Sequence, residues 1–322
     1  MSLDTSAETD VAPCRSCRSP VFDDEVFCEV CGARTVGESS PEHVAPARHP
    51  AEREEHDLGV IAGITDRGNR RRRNEDAVAI AAADGWSVAV VCDGVASTAN
   101  SDQAARAAAD AALAVLEPLL YAPRWPDGGR LEDVMDEAFA AAQGAVTLIP
   151  DDEPDGNDLS PSTTLVAAVV TPERIVVANV GDSRAYWLTA DPATCRTLTT
   201  DDSWAQESIA EGTAPEVAYA HPEAHTITRW IGDDAESVAP DVTALDVTEP
   251  GLLVVCTDGL WNYFNDPVRL ADLVPRSTST PIEIARQLTD AALDAGGQDN
   301  ITVAVVRLGS PSPGPAAAQT EE

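Results

Sequence analysis

Lysine is absent from all 322 residues. The 21 basic side chains are arginines set against 55 acidic ones, for a formal charge of −34 and a pI near 4.2. A surface of that sign repels nucleic acid and anionic lipid, so neither is expected as a general partner. Long apolar runs are missing as well. Those present are strand-length, short of the ~20 residues a membrane-spanning helix needs. Residues 1–10 are polar and acidic, unlike a basic-then-apolar leader, so no export signal is expected and the protein should be cytoplasmic. The length allows one large domain, or one with a small module, and 43% hydrophobic content is enough to build a core.

Without export, the seven cysteines do not suggest a disulfide framework. Cys14, Cys17, Cys28 and Cys31 form C-x2-C-x10-C-x2-C, a doubled knuckle spacing that suits one tetrahedral, structural Zn²⁺. Residues 11–36 are therefore expected to be a zinc ribbon folded by its metal, since so short a segment buries little surface. Cys92 and Cys256 lie within apolar runs and are expected in the core. Residues 37–56 are rich in Pro, Ser, Glu and Ala and read as a flexible linker; residues 309–322 read as a disordered tail.

The patterned region, 57–308, mixes apolar β-type runs (86–92, 163–170, 174–180, 185–189, 252–256, 301–308) with alanine-rich helical stretches (101–121, 131–146, 281–295). Only Thr171-Pro172-Glu173 separates the second and third runs, which must then pair as an antiparallel hairpin. The run at 185–189 follows after a short turn and should extend the meander. Helices come in pairs rather than after every strand. The expected class is α+β, antiparallel sheets flanked by helices, and not a doubly wound nucleotide fold.

Four apolar strands abut an aspartate: Asp93-Gly94, Asp182-Ser183, Asp258-Gly259 and Asp299-Asn300. Taken singly, each is a common turn dipeptide. Four in the same setting suggest carboxylates gathered at strand ends, where their repulsion calls for a cation. Oxygen ligands without histidine or thiolate point to Mg²⁺ or Mn²⁺. A basic run, Arg70-Arg71-Arg72-Arg73, leads straight into Asn74-Glu75-Asp76. Guanidinium beside metal-binding carboxylates is what a phosphate-ester site needs, with the cations activating water for in-line displacement.

R-x-x-N-E-D at 71–76, DG at 93–94, GDSR at 181–184, DGLW at 258–261 and GGQDN at 296–300 occur in the order found in metal-dependent type 2C Ser/Thr protein phosphatases. Residues 57–308 resemble that family, and 198–232 looks like the mobile flap of its bacterial members. The resemblance implies two antiparallel sheets packed as a sandwich, antiparallel helix pairs outside, and a dinuclear Mn²⁺/Mg²⁺ centre between the sheets. It implies that Asp93 bridges both metals and that the Gly94 carbonyl binds one of them. Asp258 and Asp299 then bind the other, Glu75 and Asp76 hold metal-bound water, Arg71 binds the phosphate, and Asp182 serves a weaker third metal. The implied substrates are phosphoserine and phosphothreonine proteins, those of a cognate Ser/Thr kinase system among them, with the ribbon as a docking or regulatory module. Three departures from the family pattern stand out. Val95-Ala96-Ser97 replaces a glycine-rich loop, Val95 stands where eukaryotic members carry a histidine acid, and Asn262 stands where many place an aspartate. These keep open an alternative, a catalytically weak phosphatase-fold scaffold or phosphoprotein-binding regulator.

Overall fold

A computed structural model describes residues 11–13, 20–22, 53–98, 100–121, 128–150, 160–274 and 279–309. Strands β1 (Val11–Pro13) and β2 (Pro20–Phe22) pair antiparallel. Cys14, Cys17, Cys28 and Cys31, the expected zinc ligands, lie outside the described residues, as do most of the expected linker and nearly all of the expected tail.

The main body begins earlier than expected. β3 (Arg53–Asp57) is an edge strand hydrogen-bonded to β4 (Ile61–Asp66), so residues 53–56 belong to the sheet and not to the linker. Its composition, Arg-Glu-Glu-His-Asp, conceals it because an edge strand needs no buried face. Arginines hold it on both sides: Arg106 donates to Glu54 at 3.1 Å and Arg286 to Glu55 at 2.6 Å.

β5 (Asp76–Ala83) and β6 (Trp86–Asp93) form a hairpin, followed by α1 (Ser101–Leu116) and α2 (Gly128–Val146). The short β7 (Ser162–Thr163) precedes β8 (Leu165–Val170), which turns tightly into β9 (Arg174–Val180) through a Thr171 N–H to Arg174 carbonyl bond of 2.8 Å. β10 (Arg184–Thr189) and β11 (Arg196–Thr197) lead to α3 (Trp204–Ala210), α4 (Pro215–Ala218) and β12 (Ile231–Gly232). β13 (Asp241–Asp246), β14 (Gly251–Cys256), α5 (Asp258–Trp261), α6 (Pro267–Asp272), α7 (Pro281–Ala295) and β15 (Ile301–Leu308) complete the order.

Two large antiparallel sheets result, of order β11-β10-β14-β15-β4-β3 and β13-β9-β8-β6-β5, beside the two-stranded pair β12-β7. β8 and β9 pair as the short turn requires. β10 does not extend their meander. It pairs with β14 in the other sheet, so the turn at Gly181-Asp182-Ser183 carries the chain across the sandwich. The cause is local. Gly181 has a φ of +99° and Arg184 is buried against Asp201, which turns the strand away from its predecessor.

Side-chain alternation explains the layering. Val78, Val91, Val166 and Val177 from one sheet meet Ile61, Leu253, Val255 and Val306 from the other. The opposite face of the first sheet packs on α1 and α2 through Val90, Ala105, Ala109, Met135 and Phe139, with alanines letting the helices approach closely. The outer face of the second meets α7 through Ile64, Val305, Ala285 and Leu288. Cys92 and Cys256 are fully buried, as expected. The architecture is thus helix, sheet, sheet, helix. No helix among the described residues is long and apolar enough to cross a membrane.

Candidate active site

Strand register assembles the site. Asp76 at the start of β5 faces Asp93 at the end of β6 as a direct cross-strand pair. Thr257, which joins β14 to α5, donates its hydroxyl to Asp76 Oδ2 at 2.8 Å, bringing Asp258 alongside. Thr257 is in turn tied to β15, where the Thr302 N–H donates to its hydroxyl at 3.1 Å, which sets Asp299 near the same point. Arg71 then closes the ring, donating from Nη2 to Asp299 Oδ2 at 2.8 Å. Residues from four distant stretches of sequence meet at one rim of the sandwich because both sheets end there.

Charge in this ring is poorly compensated. Desolvation first, then Asp299, pushes Asp76 up to about 7. Burial and Asp76 raise Asp93 well above the usual carboxylate range, and burial and Asp299 do the same to Asp258. Asp182, on the crossing turn, is pushed up to about 7 by burial and then by Asp201. Burial also raises Glu75, although Ser101 donates to its Oε1 at 2.5 Å and Arg73 to the same oxygen at 3.2 Å. Burial opposes the charge on Arg71, but Asp299, Asp258 and Glu75 outweigh it and its pKa is raised.

A hard divalent cation answers these needs. Asp76 Oδ1 and Asp258 Oδ1 are buried and accept no hydrogen bond within the protein, the kind of oxygen a cation would satisfy. As they stand, no three Asp, Glu, His or Cys side chains among the described residues clasp a single point. Asp299 gives one oxygen to Arg71, and Asp258 Oδ2 accepts from Asn262 Nδ2 at 3.0 Å. Gly94 fits tightly, since a Cβ there would sit 2.6 Å from the carbonyl oxygens of both Glu75 and Ser101. Its N–H donates to the Glu75 carbonyl at 3.1 Å. The loop 95–98 turns without the family's glycines, Thr98 N–H donating to the Val95 carbonyl at 2.9 Å, and none of its residues takes a positive φ.

Several supporting residues have no role assigned from the sequence. Asn300 accepts the Glu75 N–H on Oδ1 at 2.8 Å and donates to the carbonyls of Arg67 and Arg73 at 2.7 and 2.9 Å, clamping both ends of the arginine loop. Its place in GGQDN was the available signal. Ser101 and Thr257 carried none. Arg184 makes a two-pronged pair with Asp201 at 2.8 and 2.6 Å, and its guanidinium lies 3.8 Å over the Trp261 ring. That contact ties the segment 198–232, with its own small core of Ala205, Ala218 and Ala224, to the turn carrying Asp258.

Fold and site together define a class: a four-layer sandwich with buried carboxylates and a partly buried arginine gathered at one rim. The protein phosphatase 2C family model matches residues 67–292, and the chain belongs to that family. It is 32% identical over 246 residues to "Serine/threonine protein phosphatase PstP" of Mycobacterium tuberculosis (strain CDC 1551 / Oshkosh), covering 76% of this chain and 44% of that protein's length. It is also 32% identical over 248 residues to "Serine/threonine phosphatase stp" of Listeria innocua, covering 75% of this chain and 93% of that one. The crystal structure of Stp1 from Staphylococcus aureus superposes with a TM-score of 0.65 at 26% identity, covering 81% of this chain and 98% of that one. The α+β fold with antiparallel sheets is therefore that of the family, which depends in general on Mn²⁺ or Mg²⁺.

Proposed function

We propose that the chain hydrolyses phosphoserine and phosphothreonine in proteins at the carboxylate rim, with Mn²⁺ or Mg²⁺ as cofactor. The observation that carries this reading is the pair of buried, unpartnered oxygens, Asp76 Oδ1 and Asp258 Oδ1, beside a partly buried arginine. Asp93, the Gly94 carbonyl, Asp258 and Asp299 would hold two cations, Glu75 and Asp76 would orient water beside them, and Asp182 would serve a third. When bound, the cations lower the pKa of the attacking water and offset charge on the phosphoryl group. Arg71 binds two phosphoryl oxygens and orients the phosphorus for in-line attack, exchanging its contact with Asp299 for the substrate. Asn300 keeps Glu75 and the arginine loop in register throughout. Val95 has no proton to give the leaving alkoxide, so that proton comes from solvent at the open rim.

Residues 11–36 would form a zinc ribbon on Cys14, Cys17, Cys28 and Cys31 and serve as a docking module, and a Ser/Thr kinase system would supply the substrates. The test is Mn²⁺-dependent hydrolysis of p-nitrophenyl phosphate and of a phosphothreonine peptide, abolished by chelation. Peptide binding without turnover at saturating Mn²⁺ would instead support the scaffold reading.

A further inference from the structure

Buried hydroxyls stand behind Asp76. Thr65, Thr257 and Thr302 are each at most 1% exposed, and they come from β4, the β14–α5 junction and β15. Thr257 and Thr302 also pair through their backbones, the Thr257 N–H donating to the Thr302 carbonyl at 3.1 Å.

Hydrogen bonds link these residues into a ring that starts and ends on Asp76. The Asp76 N–H donates to Asn74 Oδ1 at 3.3 Å, and Asn74 Nδ2 donates to Thr65 Oγ1 at 2.7 Å. Thr65 Oγ1 lies 2.7 Å from Thr302 Oγ1, and the Thr302 N–H donates to Thr257 Oγ1 at 3.1 Å. The Thr257 hydroxyl then donates to Asp76 Oδ2 at 2.8 Å, reaching from one sheet to the other. A hydroxyl has one hydrogen, and Asp76 takes it. Asp76 Oδ1 is left buried with no partner in the protein. Asp258 is divided in the same way, Oδ2 taken by Asn262 and Oδ1 left over. A carboxylate with both oxygens free can clasp a cation with the pair and crowd out water, whereas one with a single free oxygen cannot.

We propose that Thr257 is a positioning residue for the hydrolysis. By holding Asp76 Oδ2 it leaves Oδ1 as the one oxygen facing the cations, so that Asp76 orients water and does not displace it. Thr302, Thr65 and Asn74 fix Thr257 and Asp76 relative to each other. The proposal rests on the phosphatase reading above.

Full-length wild type, T257V, T257S and T289V are compared by Mn²⁺ titration calorimetry without substrate and by steady-state kinetics on p-nitrophenyl phosphate. Thr289 is equally buried and donates to the Ala285 carbonyl within α7, so T289V reports the loss of a buried hydroxyl away from the rim. In T257V kcat should fall about tenfold with KM within about twofold, while Mn²⁺ binds as tightly as in wild type or more tightly. T257S restores the hydroxyl and should recover kcat to within about threefold of wild type. T289V should leave both kcat and Mn²⁺ affinity unchanged. An unchanged kcat in T257V overturns the proposal while leaving the phosphatase reading intact. So does a Mn²⁺ affinity that weakens along with kcat, since Thr257 would then only hold the rim together. Equal damage in T257S, or the same kinetic loss in T289V, overturns it too. Should T257V not fold, T65V breaks the ring on its far side. There kcat should fall about threefold with Mn²⁺ affinity kept, and an unchanged kcat or a weakened affinity overturns the proposal. No turnover by the wild type at saturating Mn²⁺ overturns both readings.

Discussion

Asp93 is opposed by Asp76 directly across the hairpin and feels Asp258, Asp299 and Asp182 as well, so its charge is poorly compensated by the protein. On the proposed mechanism it serves both cations. Asp93→Asn should therefore lower kcat/KM by at least about a hundredfold, with Asp258→Asn and Asp299→Asn next. Arg71→Ala should mainly raise KM, because Arg71 binds the phosphate already present in the ground state. Steady-state kinetics on p-nitrophenyl phosphate checks both; full activity in Asp93→Asn would sink the mechanism. Asn262 is a simpler case. Its amide donates to Asp258 Oδ2 and so braces the turn, a role that needs no third metal. His225, 6.0 Å from the Trp261 ring, has its pKa lowered by burial first and then by Arg184. A base that is harder to protonate when folded takes up its proton preferentially on unfolding, so its contribution to stability is lost as pH falls below about 6.5. The gap in Tm between wild type and His225→Asn should accordingly narrow as the pH is taken from 8 to 5, which thermal melts across that range would read.

At the scale of elements, β3 and the arginine loop are linked. Arg53 in β3 donates from Nε to Asp66 Oδ2 at 2.6 Å, and Asp66 Oδ1 accepts the Gly68 N–H at 2.8 Å. Arg53→Ala should therefore loosen the loop as well as the edge strand. We expect KM for a phosphothreonine peptide to rise several-fold with a Tm loss of a few degrees, in line with about 1 kcal/mol for a partly exposed charged contact. Unchanged kinetics would show that Asp66 holds the turn unaided. Gly68→Ala meets a harder obstacle, a positive φ and a backbone oxygen in the space its Cβ would take. It should cost about 1–3 kcal/mol from the backbone alone and displace Arg71, so chemical denaturation and kinetics should both register it.

For the whole molecule, β3 redraws the boundary between the body and what precedes it. A protein beginning at residue 53 should fold and keep its hydrolytic activity, whereas one beginning at residue 58 loses the edge strand and its ties to Asp66, α1 and α7. Comparing the melting curves of the two against full length tests this. The same pair of proteins tests the ribbon: full length should carry one more zinc than the version beginning at residue 53, and equal zinc content would exclude the four cysteines as its ligands.

The local signals were strong where chemistry and burial coincided. Asp93-Gly94, Asp258-Gly259 and Asp299-Asn300 each follow or precede a continuous apolar strand, and the spacing of β8 and β9 left only a hairpin open to them. Helix α7 was legible to the residue because its apolar stripe begins at a Thr280 and Glu283 capping box with Pro281 and ends at Gly296. β5 was not, since Ala-Val-Ala-Ile-Ala-Ala-Ala carries little strand preference and becomes a strand only between β6 and the opposite sheet. β13 was hidden because it is an edge with exposed side chains. The sequence by itself determined which residues could do the chemistry, because a carboxylate at a strand end and an arginine before it are local facts. Only the tertiary structure decided that β10 crosses to the second sheet, that Arg53 belongs to the body, and that Asn300 clamps the arginine loop. Those depend on contacts between separate stretches of chain, Arg53 with Asp66, β10 with β14, and Asn300 with Arg67, whose free energy appears only when both partners are packed together.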